Sequence, residues 1–531
     1  MQKNFDVLGV MLDCSRNGVM NVQELKRFIT ILSKMGYNQL QLYIEDIYYI
    51  EGEPFFGYRR GRYTKEELRE VVAFGEEHGV DLVPCIQTLA HLGIFRWKDY
   101  APLRDCDDIL LVGDEKVYEL IEKMFTSLRE CFKTDRIHIG MDEAHNLGKG
   151  KYLKQHGERN RIDIILEHLT TVRELASKHG FTKPMMWSDM LYKLANNGQY
   201  YLKDAVISQE LKDRFPKDMS LVYWHYTGID PEMYDSMIKT HKQISDEIIY
   251  AGGAWKWATF VPHNNISIHA LTLGMKACIE NDVKEALVTL WGDNGNEASV
   301  YSILPSLCTA ACINIGIFDI EGIKQKFYEW TGADYDAFML LDQPDHDPSK
   351  ALNRVVNPSK YQLYNDCLLG LFDVGGVYEG DGENYAKISS QLKLAKAEGK
   401  AGDFGYVFDT VIGLCDVLEL KAEIGIRARK AYKANNKSEL QKIVSDYCEM
   451  IDRTEDFYNT FRKQWYKENK SFGFGEQDLR LGGLIMRMKN CCNIIEEYLA
   501  GETDAILELE EDSLQMVESK EMIYTWRECI S

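Results

Sequence analysis

The stretch FDVLGVMLDCSRNGVMNVQELKRFITILSKMGYNQLQLYIE, residues 5–45, decides the fold class. It opens on a continuous apolar run at 5–13, as a strand buried on both faces carries. NVQELKRFITILSKMG, 21–36, has helical spacing and stops at a glycine. A second apolar run, QLQLYIE, follows at 39–45. This is a strand–helix–strand unit. A doubly wound dinucleotide fold would place a glycine-rich phosphate turn after an early strand. Here the first strand ends in LDCSRNG, so the unit reads as the start of a barrel.

The pattern repeats outward. The helix TKEELREVVAFGEEHG (64–79) leads to VDLVPCIQ (80–87), and further runs are RIHIGMD (136–142), KPMMWSD (183–189), SLVYWHY (220–226), EIIYAGGA (247–254) and ALVTLWGD (286–293). Eight such units predict a (β/α)8 TIM barrel over residues 1–325. GGAWKW (252–257) lacks dinucleotide spacing and reads as a tight turn. After about residue 320 strand-like alternation stops. Residues 326–531 are expected to form an all-α C-terminal domain, with one long helical segment at 422–470. SFGFGEQDLRLGG (471–483) interrupts it as a helix–helix loop or a rim or partner-contacting loop.

The chain has 531 residues, 45% hydrophobic, and a net charge of -21. That balance argues against nucleic acid or an anionic membrane as partner. No window approaches a membrane span, and the N-terminal residues show no basic region, apolar core or cleavage site. The 13 cysteines form no CxxC pair. Reduced thiols and a cytoplasmic location are the expectation.

A barrel keeps its chemistry where its strands end. Those ends carry Asp13 with Arg16, Glu45 with Asp46, His91, Asp142 with Glu143, Trp187 with Asp189, the Trp224–Tyr226 run, Trp255 with Trp257, and Trp291 with Asp293. Three chemistries fit the adjacent acids. Metal-assisted hydrolysis would draw on His138, Asp142, Glu143 and His145, but the first strand offers no HxH, so neither metal nor cofactor is expected. A retaining glycosidase with two carboxylates needs them about 5–5.5 Å apart across the sugar. Its nucleophile would then come from another strand, such as Asp293 or Glu45. In the third, Glu143 protonates the leaving oxygen and Asp142 holds a 2-acetamido group that itself attacks the anomeric carbon.

At these residues the chain resembles the β-N-acetylhexosaminidases of glycoside hydrolase family 20. HIGMDEAH (138–145) resembles their His-x-Gly-Gly-Asp-Glu signature. MLDCSR (11–16), residues 42–68, which resemble the second-strand region of a bacterial subgroup, PCIQTLAH (84–91) and LWGDNGNE (290–297) agree with the family in order. The resemblance covers residues 5–315. It implies an exo-acting hydrolase of glycans ending in β-linked N-acetylglucosamine, or N-acetylgalactosamine. Asp142 would orient the acetamido group, and Glu143 would be general acid and then base. Arg16 would grip the 3- and 4-hydroxyls and Asp293 the 4- or 6-hydroxyl. Trp187, Trp224 and Trp291 would wall the pocket. Tyr226, or Trp257 nearby, would meet the acetamido carbonyl. His91, with Glu45 or Asp46, would form a relay to Glu143, with Asp13 and His138 behind the pocket. Met141 stands where the signature has its second glycine, and Asp293 where glutamate is commoner. The helical region is similar to that of the same subgroup, which admits a homodimer through it. A barrel that binds amino sugars without cleaving them is the non-enzymatic alternative.

Overall fold

The computed structural model describes residues 3–346, 352, 355–516, 522, 523 and 525–529. Eight strands close into one parallel barrel in chain order, β1 pairing with β8. They are β1 (Val7–Asp13), β2 (Gln39–Tyr43), β3 (Asp81–Cys85), β4 (Arg136–His138), β5 (Lys183–Trp187), β6 (Ser220–Trp224), β7 (Ile248–Gly253) and β8 (Glu285–Leu290). Six of the seven residues of β1 and all of β2 are buried, because helices cover the outside and side chains fill the inside. Even the polar positions obey this: Gln41 donates to Gln39 at 2.9 Å within the barrel.

The first helix, Val22–Met35, starts where the Asn21 side chain accepts the Glu24 N–H and stops at left-handed Gly36. Thr64 and Glu67 form a reciprocal cap on the helix Lys65–Glu77. The barrel interior is a separate apolar cluster that includes Met11, Tyr43, Val83, Met185, Val222 and Leu287. It continues upward into Trp187, Trp255, Trp257 and Trp291. The core of the barrel is therefore also the floor of whatever sits above it.

Three local expectations are corrected. The RIHIGMD run is strand only through His138, because Gly140, Met141 and Glu143 turn left-handed (φ 73°, 72° and 50°). The two acids thus stand on a tight loop beyond the strand. Gly252 and Gly253 form no tight turn: they are the last residues of β7. Residues 422–470 hold two helices, Ile424–Lys433 and Lys437–Glu468, separated by left-handed Asn435 and capped by Asn436.

Residues 474–483, read as part of a loop, open the helix Phe474–Ala500. Every strand of the named set belongs to the barrel, and the described residues beyond it are helical or irregular. No helix among the described residues is long and apolar enough to cross a membrane. The described cysteines are free thiols, mostly buried, with Cys448 exposed.

Candidate active site

One cavity at the C-terminal ends of the strands brings together every residue expected to touch substrate. Asp142, Glu143 and His91 form one side, Arg16 and Asp293 another. Trp187, Trp224, Tyr226, Trp257 and Trp291 complete it. Its volume is about 530 Å³ counting the open mouth.

The acid loop is held from below. Gln87 donates to Asp142 Oδ1 at 2.6 Å and to the Tyr43 hydroxyl at 2.9 Å, and its own oxygen accepts the Met141 N–H at 3.2 Å. A Cβ on Gly140 would stand 2.1 Å from that oxygen, so only glycine fits there. Met141 is fully buried at φ 72°, a conformation glycine adopts at no steric cost. This accounts for a glycine at that place in the signature, and the Gln87 hydrogen bond offsets part of the strain methionine carries.

His91, itself left-handed (φ 59°), faces both acids. Its Nε2 lies 3.2 Å from Asp142 Oδ2 and 3.7 Å from Glu143 Oε2. The N–H points off the line to either oxygen, so the contact is an ion pair and not a linear hydrogen bond. Burial works against both charges, yet each ion holds the other. The Asp142 carboxyl is lowered to about 2 and the His91 imidazole raised to about 9.

The expected relay through Glu45 or Asp46 has other partners. Glu45 binds Arg16 and accepts from the Tyr43 hydroxyl at 2.9 Å, and Asp46 binds Arg60. The carboxylate nearest His91 Nδ1 is Asp108, at 3.9 Å.

The pair gives a pH signature. The raised His91 adds stability that is complete below its ordinary 6.5 and is lost as pH rises through about 9. The lowered Asp142 adds stability complete above its ordinary 3.8 and lost as pH falls through about 2. Being one interaction, it contributes fully between 3.8 and 6.5. Urea unfolding across a pH series should show His91→Gln flattening the decline above 6.5. A variant curve parallel to wild type there contradicts the pairing.

Asp189, at the end of β5, anchors the loop from the other side. One carboxylate oxygen accepts the Glu143 N–H at 3.2 Å and an ion pair from Lys193 at 3.2 Å. The other is buried with no hydrogen-bond partner among the described residues. Burial, with the nearby Asp142 charge, raises this carboxyl to about 6. Asp189→Ala should leave the protein folded and cut kcat by up to about 10²-fold by releasing Glu143. Asp189→Asn, which keeps an acceptor, should retain most activity. Equal losses in steady-state assays of the two variants would contradict a backbone anchor.

Across the cavity, Arg16 is fixed by Glu45, by the Ser15 hydroxyl at 2.7 Å and by Asp293 at 3.0 Å. Its Nη2 takes no protein partner among the described residues. Asp13 ties β1 to β8 by accepting the Gly292 N–H at 3.0 Å and the Ser15 N–H at 2.8 Å. His138 is buried under Trp187, 4.5 Å between ring centres. Burial lowers it to about 3, so it is neutral.

The aromatic wall is continuous. Trp224 stacks on Tyr226 (5.3 Å), Tyr226 meets Trp257 edge-on (5.6 Å), and Trp257 stacks on Trp255 (3.9 Å). Gly253 makes room, since a Cβ there would stand 3.0 Å from both the Tyr226 and Trp257 rings. Sequence reasoning missed the roles of Gln87, Tyr43 and Asp189. The signal for Asp189 was present, an acid two residues past a strand-end tryptophan. Gln87 carried none beyond lying in the PCIQTLAH segment.

An aromatic box with carboxyl groups on one side and an arginine on the other suits carbohydrate chemistry, and on this barrel it points to a glycoside hydrolase. The description "Glycosyl hydrolase family 20, catalytic domain" matches residues 52–230, and "Glycoside Hydrolase 20C C-terminal domain" matches residues 336–526. The chain belongs to family 20 of the glycoside hydrolases, the β-N-acetylhexosaminidase family.

It is 23% identical to hexosaminidase D of Bos taurus over 248 residues, 45% of this chain and 68% of that one. It is 22% identical to hexosaminidase D of Homo sapiens over 327 residues, 57% of this chain and 65% of that one. Among solved structures, the chitobiase of Flavobacterium johnsoniae superposes with TM-score 0.48 and 15% identity, over 96% of this chain and 74% of that one.

Proposed function

We propose that this chain is an exo-acting β-N-acetylhexosaminidase that removes terminal β-linked N-acetylglucosamine, or N-acetylgalactosamine, with retention of configuration. In this reading the acetamido oxygen of the substrate is the nucleophile and an oxazolinium ion the intermediate. The observation that carries it is the unequal setting of the two neighbouring acids. Asp142 is held ionised by His91 and Gln87 inside the cavity, whereas the Glu143 side chain is 44% exposed beside it.

An ionised Asp142 accepts the acetamido N–H, turns the carbonyl oxygen toward the anomeric carbon and balances the positive charge that builds on the ring. Glu143 gives its proton to the glycosidic oxygen, then takes one from the water that opens the oxazolinium. Arg16 and Asp293 hold the sugar hydroxyls, and the tryptophans cover its C–H faces. Tyr226 is the hydroxyl donor of the aromatic wall and is assigned to the acetamido carbonyl.

The alternative, a protein carboxylate as nucleophile, would fall to Asp293 or Glu45, both of which are committed to Arg16. The comparison of an aryl β-N-acetylglucosaminide with the matching aryl β-glucoside, each with and without chelator, tests the reading. Turnover of the acetamido sugar alone, insensitive to chelator, is expected. Comparable turnover of both sugars would overturn it.

A further inference from the structure

The loop after β8 carries Asp293 and then runs left-handed for three residues, Asn294, Gly295 and Asn296 (φ 60°, 125° and 53°). Two of these are not glycine, so something outside the loop holds them. The loop after β7 supplies two of the holding groups, the Ala258 N–H to the Asp293 carbonyl at 2.8 Å and Lys256 to the Asn296 side chain at 2.6 Å, and the helical region supplies the larger set. Lys360 Nζ and Arg480 Nη1 both donate to the Asn294 carbonyl at 3.0 Å. Gln477 donates to the Gly295 carbonyl at 3.3 Å and Gln464 to the Glu297 carbonyl at 3.2 Å. Glu297 closes the set by pairing with Lys360 (2.5 Å) and Arg480 (2.8 Å).

All three charged side chains are at most 5% exposed. Two cations converging on one carbonyl, next to a buried carboxylate, cost desolvation that an apolar contact would avoid. A domain boundary that only needed to stick would be apolar. The same region also reaches the other hydroxyl-reading loop, where Asn17, beside Arg16, donates to the Gly473 carbonyl at 2.9 Å.

We propose that Lys360 and Arg480 are positioning residues that set which sugar hydroxyls the pocket recognises, by fixing the Asp293 loop against Arg16. The inference rests on the reading that Asp293 binds a 4- or 6-hydroxyl. It makes the helical region part of the recognition site.

The test measures kcat/KM for an aryl β-N-acetylglucosaminide and its 4-deoxy and 6-deoxy analogues. The larger fold-loss on deoxygenation is the hydroxyl penalty. Asp293→Ala should bring it close to one. Arg480→Met and Lys360→Met should each shrink it by about 10-fold, chiefly through KM on the full substrate, since loosening the loop misplaces the carboxylate. A merely structural role would slow all three substrates alike. If Asp293→Ala removes the penalty while folded Arg480→Met and Lys360→Met keep the wild-type value, the positioning role is wrong and the site reading stands. If Asp293→Ala keeps the penalty, the site reading fails and the inference with it. Should the methionine variants not fold, Arg480→Lys decides. Lysine keeps the charge but loses the second guanidinium nitrogen, which holds the Asn294 side chain at 3.3 Å, so an intermediate penalty is expected, and the wild-type value would overturn the proposal.

Discussion

Asp142→Asn is expected to lower kcat/KM on an N-acetylhexosaminide by about 10²–10⁴-fold without unfolding the protein. The loss is electrostatic. Asparagine fits the same space and keeps an oxygen for Gln87, but it cannot balance the positive charge of the oxazolinium. It also removes the partner that raises His91 to about 9, so that imidazole should fall toward its ordinary range. Steady-state rates read the first effect and NMR titration of His91 the second. A variant within a few-fold of wild type would remove the substrate-assisted role from Asp142.

Glu143→Gln should be equally damaging on substrates with poor leaving groups, by about 10²–10⁴-fold, because glutamine has no proton to give. The penalty should shrink for aryl glycosides whose leaving group departs as a stable anion. Added azide should restore part of the rate there, by replacing the water that Glu143 would have activated. Leaving-group-independent losses in a series of aryl substrates would contradict the general-acid role.

Much of this was legible because barrel strands advertise themselves twice: by continuous apolar runs and by the polar or aromatic residue at each strand end. LDCSR, IEDI, LAH, WSD, WHY and LWGD each mark a mouth position, and the cavity collects side chains from all but IEDI, whose Glu45 acts on it through Arg16. Period and burial said less about the exits. RIHIGMD looks like an unbroken strand because Ile137, Ile139 and Met141 alternate, yet the ladder stops at His138 where Gly140 and Met141 turn left-handed. The placement of His91 on Asp142 likewise depends on its own left-handed backbone, which no residue pattern announces. The helix break at Asn435 hid inside a continuous amphipathic segment. The reach of Arg480 to the loop after β8 is a contact between residues 186 positions apart, beyond any local pattern.

The defining property of the site is which group attacks the anomeric carbon. The most direct measurement is kcat/KM for one aryl glycoside whose N-acetyl group carries zero, one, two or three fluorines. Each fluorine weakens the carbonyl oxygen as a nucleophile while changing the shape little. If the acetamido group attacks, the rate falls steeply and steadily across the series. A flat series would mean that a protein carboxylate or water attacks, and that Asp142 does something other than serve the substrate's own nucleophile.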